Sequence, residues 1–442
     1  MSHVFPRNKM NTVPLAVSTE GCFIVDSDGR RYFDGSGGAA ISSLGHSNAR
    51  VVTAVQDQVT KLAFAHTSFF TSEPAEELAN LLIKNAPGTL DKVYFVSGGS
   101  EAIEAALKLA RQYHIENGQP KRRHFISRRQ SYHGNTLGAL AVGGNEWRRQ
   151  QFSPLLFNVS HIAPCYEYVN RDKNESSFDY GQRVAQELED EILQLGPETV
   201  IAFIAEPVVG ATLGAVPAVE GYFGRVREIC DKYGVLLILD EVMCGMGRTG
   251  HLFACEADNV IPDILCIAKG LGAGYQPIGA MLCSASIYHA IENGTGFFQH
   301  GHSYLGHPVA VAAALAVVKE LLDKSLIDRS KVMGDKLENA LFSKLGQNPH
   351  VGDIRGRGLF RGVELVYERE TKTPFDPDRS IAAKVKATAF DFGLLCYPMA
   401  GTRDGRHGDH VLLAPPFILE DTHIDLIVDT LSKAIDAAIL EP

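Results

Sequence analysis

Three runs set the terms on which this chain can fold: VIAFIAEP at 200–207, VLLILDEV at 235–242 and DILCIA at 263–268. In each, the body of the run carries no polar side chain. A strand with one wet face alternates apolar and polar residues, whereas a strand apolar at every position is covered on both faces. Between and around these runs lie stretches of helical character. KVYFVS at 92–97 reads as a strand and SEAIEAALKLARQYH at 100–114 as a helix, with Ile103, Ala106, Leu107 and Ala110 at helical spacing. HFIS at 124–127 and IGAMLC at 278–283 read as further strands. Helices are expected around Gly221 to Tyr233 and over 308–322. Strands alternating with helices predict an α/β fold with a mostly parallel central sheet flanked by helices. CFIVDSDGRRYFD, Cys22 to Asp34, reads as a hairpin turning at Ser27-Asp28-Gly29. After about residue 325 the rhythm changes, ending in DHVLLAPPFIL and a last helix from about Glu420. The expected division is a large domain at 61–325 and a smaller α+β domain built from 1–60 and 326–442.

With 442 residues the chain can bury both cores. Its net charge of −10 and its short basic clusters, such as Lys121-Arg122-Arg123, argue against a nucleic-acid partner. Eight cysteines without a CxxC pair suit a reducing compartment. MSHVFPRNKMN lacks the apolar core of a signal peptide, and no run approaches a membrane span. The expectation is a soluble cytoplasmic protein.

In a sheet of this kind ligands bind beyond the carboxyl ends of the strands. After the first strand come Ser97-Gly98-Gly99-Ser100-Glu101 and a helix. Free N–H groups and the helix dipole there favour an anion such as phosphate; an ordinary cap, with Ser100 as N-cap, is the plain alternative. After the next strand, Ser131-Tyr132-His133-Gly134 offers rings that could stack on a flat ligand. The third strand ends in Glu206 and the fourth in Asp240-Glu241. Carboxylates ending so apolar a strand need a partner. The fifth ends in Lys269, the one charged side chain between Ile264 and Leu282, followed by Gly270, Gly272 and Gly274. An anion pocket, an aromatic plate, two acids and a lysine are what pyridoxal 5′-phosphate requires: its phosphate, ring, pyridinium nitrogen and aldehyde each find a match. Gly245-Met-Gly247-Arg-Thr-Gly250 fits GxGxxG, but it follows the strand end by several residues and opens no good helix, so tight-turn glycines explain it better than a dinucleotide. His300, His302 and His307 lack the acids or thiols of a metal site, and none is expected.

SGGSEAIEAALKLAR, SYHG, AEPV, LILDEVMCGMGRTG, PDILCIAKGLGAGYQPIGAML and HGHSYLGHPVAVAAALAV occur in that order. Together they resemble the class III aminotransferases, the omega-amino acid and amine:keto-acid transferases of the fold-type I pyridoxal-phosphate-dependent enzymes, over nearly the whole chain. The resemblance implies that Lys269 attaches the cofactor as a Schiff base and later shuttles a proton. It implies that Asp240 pairs with the ring nitrogen, that Val242 and Tyr132 pack on opposite ring faces, and that Gly99 and Ser100 hold the phosphate. His133 and Glu206 complete the cofactor's surroundings, Glu206 towards the substrate. Ser303 stands where the family carries a threonine reaching the neighbouring subunit's phosphate, which implies a homodimer, alone or paired into a dimer of dimers, with shared sites.

The family moves an amino group from an omega-amino acid or amine to a keto acid, often pyruvate, in a ping-pong cycle; aminomutases, racemases and lyases share the scaffold. Members often bind the acceptor's carboxylate with a mobile arginine in a GLICRP-like stretch. Here the stretch is Gly393-Leu394-Leu395-Cys396-Tyr397-Pro398, with Tyr397 at the arginine position. Arg403 and Arg406, in the polar insertion that follows, are candidate replacements. Arg355 reads as structural. The small residues of Gly35 to Ala40 could leave room for substrate, and Phe69 and Phe70 could line the pocket from the partner subunit.

Overall fold

The computed structural model describes residues 3–5, 7 and 13–440, so most of the N-terminal stretch read above lies outside the described residues. The chain opens with a three-stranded antiparallel sheet, β1 (Ala16–Glu20), β2 (Phe23–Asp26) and β3 (Arg31–Phe33). β2 and β3 are the expected hairpin. β1 was not legible, because its five residues are all exposed and carry no buried alternation.

The large sheet has seven strands: β4 (Leu90–Val96), β5 (His124–Arg128), β6 (Ser160–Ile162), β7 (Val200–Ala205), then, beyond a small β8–β9 pair (Val208–Val209 and Val216–Pro217), β10 (Leu236–Asp240), β11 (Ile264–Ile267) and β12 (Gly279–Ser284). Their spatial order is β4-β12-β11-β10-β7-β5-β6. All neighbouring pairs are parallel except those made by β12, which runs antiparallel to β11 and β4. The reason is local. A parallel return needs a crossover of a dozen or more residues, usually a helix. β11 and β12 are joined only by the glycine turn and a short extended stretch, so the chain comes back antiparallel.

The apolar strands are buried on both faces, as their composition requires. Phe203, Leu237, Leu239 and Leu265 enter one hydrophobic core. Ile204, Leu236, Ile238 and Ile264 enter the other, with the Gly99–Glu116 helix. On the first face the Pro308–Asp323 helix is almost wholly apolar and almost wholly buried.

Beyond it the Leu326–Leu345 helix leads to a second sheet, β13 (Val351–Arg357), β14 (Phe360–Leu365), β15 (Tyr397–Ala400) and β16 (Asp409–Leu413), in the order β13-β14-β16-β15 and antiparallel throughout. The Ile381–Asp391 and Asp421–Leu440 helices pack against each other beside it. The N-terminal hairpin is tied to this part: Leu395 N–H donates to the Phe33 carbonyl at 2.9 Å, and Ala414 N–H to that of Gly35 at 2.9 Å. All eight cysteines are buried and unpaired. No helix among the described residues is long and apolar enough to cross a membrane.

The second sheet meets the β8–β9 turn through backbone contact. A Cβ on Gly362 would lie 1.9 Å from the Gly214 carbonyl oxygen, which cannot move without its loop. Gly362→Ala should therefore destabilise the protein by about 1–3 kcal/mol, the usual cost of overpacking. Equilibrium urea unfolding against the wild type measures it.

Candidate active site

The strand ends converge. β10 and β11 are parallel with Asp240 opposite Cys266, so Lys269 emerges three residues further on, beside the end of β10. Gly99, Ser100, Tyr132, His133, Glu206, Asp240, Val242 and Lys269 all line one cavity of about 370 Å³. Ile41, Gln276 and Pro277 complete its wall.

Lys269 is held in the left-handed backbone region, φ +45°, a conformation that costs a non-glycine residue about 1–2 kcal/mol and that clusters at functional sites. Its amine donates to the Ala39 carbonyl at 3.1 Å and makes no ion pair with Asp240 or Glu206. Burial, the largest influence, lowers the amine from 10.5 to about 8; Asp240 and Glu206 pull it back up, and Arg148 presses it down. The accepting carbonyl belongs to the small-residue segment, where Gly37, Gly38 and Ala40 all take positive φ. The segment thus turns a backbone oxygen towards the lysine.

Asp240 continues the face of Leu236 and Ile238, by the two-residue period of a strand. Its Oδ1 accepts from Val242 N–H at 3.0 Å, and its Oδ2 faces His133 Nδ1 at 2.7 Å. A ring nitrogen against a carboxylate carries the proton, so Nδ1 is the donor. His133 Nε2 reaches Ser127 Oγ at 3.4 Å. Glu241 points the opposite way. Its two oxygens accept from Ala254 N–H at 2.5 Å and Cys255 N–H at 2.8 Å, and burial raises it to about 7. It braces the loop and does not line the cavity.

Glu206 is likewise buried, which raises its pKa, and it accepts from Tyr132 N–H at 3.0 Å and Gly210 N–H at 2.9 Å. It thereby fixes the turn that presents Tyr132. The helix beyond β4 begins at Gly99, one residue before the expected cap, with Gly98 at the N-cap. Ser100 is therefore not the cap: its hydroxyl donates to Asn135 Oδ1 at 2.9 Å and accepts from Asn135 N–H at 3.1 Å. Gly98, Gly99 and Ser100, at the start of this helix, lie in the cavity wall.

Other expected residues lie elsewhere in this chain. Ser303 is exposed, on a loop whose neighbours Tyr304 and Gly306 line a cavity of about 290 Å³ that shares Ser97, Gln276, Pro277 and Ile278 with the first. Phe69 and Phe70 are exposed, and Phe70 lines a separate cavity of about 520 Å³. Tyr397 is half-buried and packs on the cluster of Ala211 and Met243, which touch the site cavity. Neither arginine of the insertion enters the cavity. Arg403 donates to the Lys372 carbonyl and Arg406 is exposed. Arg355 is buried against Glu364 at 2.7 Å, in keeping with its structural reading. Of the GxGxxG glycines, Gly247 and Gly250 have φ near +88° and +87°, as tight turns require. Arg148 was missed. It lies in NEWRRQQ, which reads as surface charge; the one available signal was the Gly143-Gly144 pair before it.

A doubly covered α/β sheet with a lysine and an acid at adjacent strand ends is the frame of a fold-type I transferase. The family model for class-III aminotransferases matches residues 4–435, and the chain belongs to that family. It is 43% identical over 439 residues to an uncharacterized aminotransferase of Schizosaccharomyces pombe, covering 99% of this chain and 96% of that protein. It is 35% identical to the chloroplastic gamma aminobutyrate transaminase 3 of Solanum lycopersicum, covering 96% and 80%. The crystal structure of a thermostable (S)-enantioselective omega-transaminase from Thermomicrobium roseum superposes with a TM-score of 0.93 at 34% identity, over 99% of this chain and 96% of that one.

A Cβ on Gly99 would meet Val242 Cγ1 at 2.7 Å. Gly99→Ala should destabilise by about 1–3 kcal/mol, and Val242→Ala in the same chain should relieve part of that loss. A double-mutant cycle read by denaturant unfolding should give a coupling of at least about 0.5 kcal/mol; strict additivity would mean the two residues do not compete for space.

Proposed function

We propose that the cavity takes pyridoxal 5′-phosphate and that the enzyme moves an amino group from an omega-amino acid or amine to a keto acid, pyruvate foremost, in a ping-pong cycle. The observation that carries this is Lys269: an amine lowered to about 8, facing a cavity and bonded only to a carbonyl, beside a carboxylate already fixed by two donors. A donor relative is named for gamma aminobutyrate, an omega-amino acid, which supports the donor class.

The residues fit the cofactor. First-turn N–H groups at Gly99 and Ser100 are free for its phosphate. Asp240 lines the cavity with one oxygen on Val242 N–H and the other on His133 Nδ1, and each carboxylate oxygen has a second lone pair for a cationic ring nitrogen. Val242 and Tyr132 offer a wall to each ring face. When bound, the cofactor supplies an electron sink for the substrate carbon that loses its proton. Lys269 is the point of covalent attachment and, once displaced, the base at that carbon; an amine near neutral pKa both accepts and returns the proton at Nζ. Glu206 and its N–H donors hold the Tyr132 turn still.

The same reading makes the protein a cytoplasmic homodimer, alone or paired into a dimer of dimers, with Ser303 reaching the partner's phosphate. Exposed Phe69, Phe70, Phe297 and Tyr304, all more than 60% accessible, support an interface on that side. It also divides the chain at 1–60, 61–325 and 326–442, with the Phe33 and Gly35 backbone bonds joining the first and last parts.

Screening amines against pyruvate and 2-oxoglutarate tests the activity; turnover without a keto acid would mark a mutase, racemase or lyase instead. Borohydride should trap cofactor mass on Lys269, and Lys269→Ala should lose both the trapped mass and transfer. The pH dependence has a definite sign. Because the amine is lowered to about 8, its neutral form grows as pH rises towards 8. Uptake of cofactor by the apoenzyme, followed by absorbance, should quicken about tenfold from pH 7 to 9 and then level off.

A further inference from the structure

Arg148 lies beside the cavity, against Tyr132, one of the residues that line it. Its guanidinium lies over the Tyr132 ring, 4.6 Å from the centroid. Among the described residues it has no acid partner, and its buried Nε has no hydrogen bond. Its charge acts on Lys269, pressing the amine down.

The position is built. Gly144 lies so close to β5 that a Cβ there would be 2.0 Å from the Arg128 carbonyl oxygen. Gly144 N–H donates to Ser131 Oγ at 3.1 Å, and Gln130 N–H donates to the Gly144 carbonyl at 2.9 Å. The Asn145 side chain then caps the turn, accepting from Arg148 N–H at 3.2 Å. The segment carrying Arg148 is thus clamped to the one carrying Tyr132.

Four other arginines hold carbonyl or carboxylate partners. Arg128 donates to the Glu206 carbonyl, and Arg248 to those of Leu359 and Pro415. Arg355 holds Glu364, and Arg403 holds Lys372. Arg7, whose charge also reaches Tyr132, is exposed on the N-terminal stretch and does not act on Lys269.

We propose that Arg148 is the receptor for the substrate's carboxylate, taking the place of the arginine that Tyr397 replaces. The proposal rests on the aminotransferase reading above and names how its site selects acids. A planar guanidinium fixed on an aromatic ring, with an unused donor edge, matches a carboxylate. Because it sits on a clamped turn it does not swing away, so the enzyme favours substrates bearing a carboxylate in both half-reactions.

The holoenzyme, Arg148→Ala and Arg148→Lys are compared with pyruvate as acceptor and with propionate as a carboxylate that cannot react. Propionate binding is read by fluorescence of Trp147, the chain's single tryptophan, whose ring lies 5.8 Å from the Arg148 guanidinium. Arg148→Ala should raise the pyruvate KM and the propionate Kd by about 10- to 100-fold, the loss of a hydrogen-bonded charge, with a much smaller change in kcat. Arg148→Lys should recover part of the loss, while Arg403→Ala and Arg406→Ala should leave KM within about twofold. An unchanged propionate Kd in Arg148→Ala overturns the proposal. So does an equal rise in KM for pyruvate and for a carboxylate-free amine, which would mark a structural role. If the wild type transfers to no keto acid, the aminotransferase reading fails, and the propionate titration still decides Arg148. Should Arg148→Ala not fold, Arg148→Lys and Arg148→Gln carry the same titration.

Discussion

The parallel pairing of β10 with β11 brings Asp240 and Lys269 to one cavity, and the site depends on their not pairing with each other. Left alone, a buried amine and a buried carboxylate at neighbouring strand ends would form an ion pair. Breaking such a pair is costly, since each charge is then uncompensated. Here each group has been given another partner. Lys269 is bonded to Ala39, and Asp240 to His133 and the Val242 amide. The amine is thus lowered to about 8 by burial, with the nearby acids opposing burial without cancelling it. A direct salt bridge would have raised it and removed its use as a base.

The two acids ending β10 show how a strand separates roles. Asp240 and Glu241 are adjacent in sequence, but successive strand residues point to opposite faces. Asp240 faces the cavity and the His133 turn. Glu241 turns into the opposite core, where it has two backbone donors and no cation, and is raised to about 7. In sequence the two acids end the same strand side by side; the register sets them apart.

What was legible followed from covalent continuity. Runs apolar at every position had to be doubly covered strands, and in such sheets the chemistry sits just past the strand ends. Gly99, Tyr132, Glu206, Asp240 and Lys269 could therefore be found from local sequence, and all line the cavity. What was not legible depends on contacts between distant segments. Nothing in GSGGAA says that Ala39 will offer its carbonyl to a lysine 230 residues away. β12 needed knowledge of a missing crossover to be placed antiparallel. Arg148 is four residues past the Gly-Gly pair that pins it, in a stretch whose composition is that of a surface helix.

These distant segments form the wall opposite the strand ends. The lysine and the acid come from strand ends of the large sheet, where strand register sets which residues face the cavity. The opposite wall comes from loops: Ile41 from the N-terminal part, Ala211 and Met243 from turns, and Tyr397 behind them from the second sheet. The second sheet reaches them by the close approach of Gly362 to Gly214. Rigid chemistry against a loop-built wall lets substrate range change by substitution in loops while the lysine and acid stay in place. In this chain the change is specific. The position that carries arginine in related stretches is Tyr397, packed as a hydrophobe, while the Arg148 guanidinium lies over the Tyr132 ring. That arginine stands on a segment held against the end of β5, the strand that leads into Tyr132 and His133.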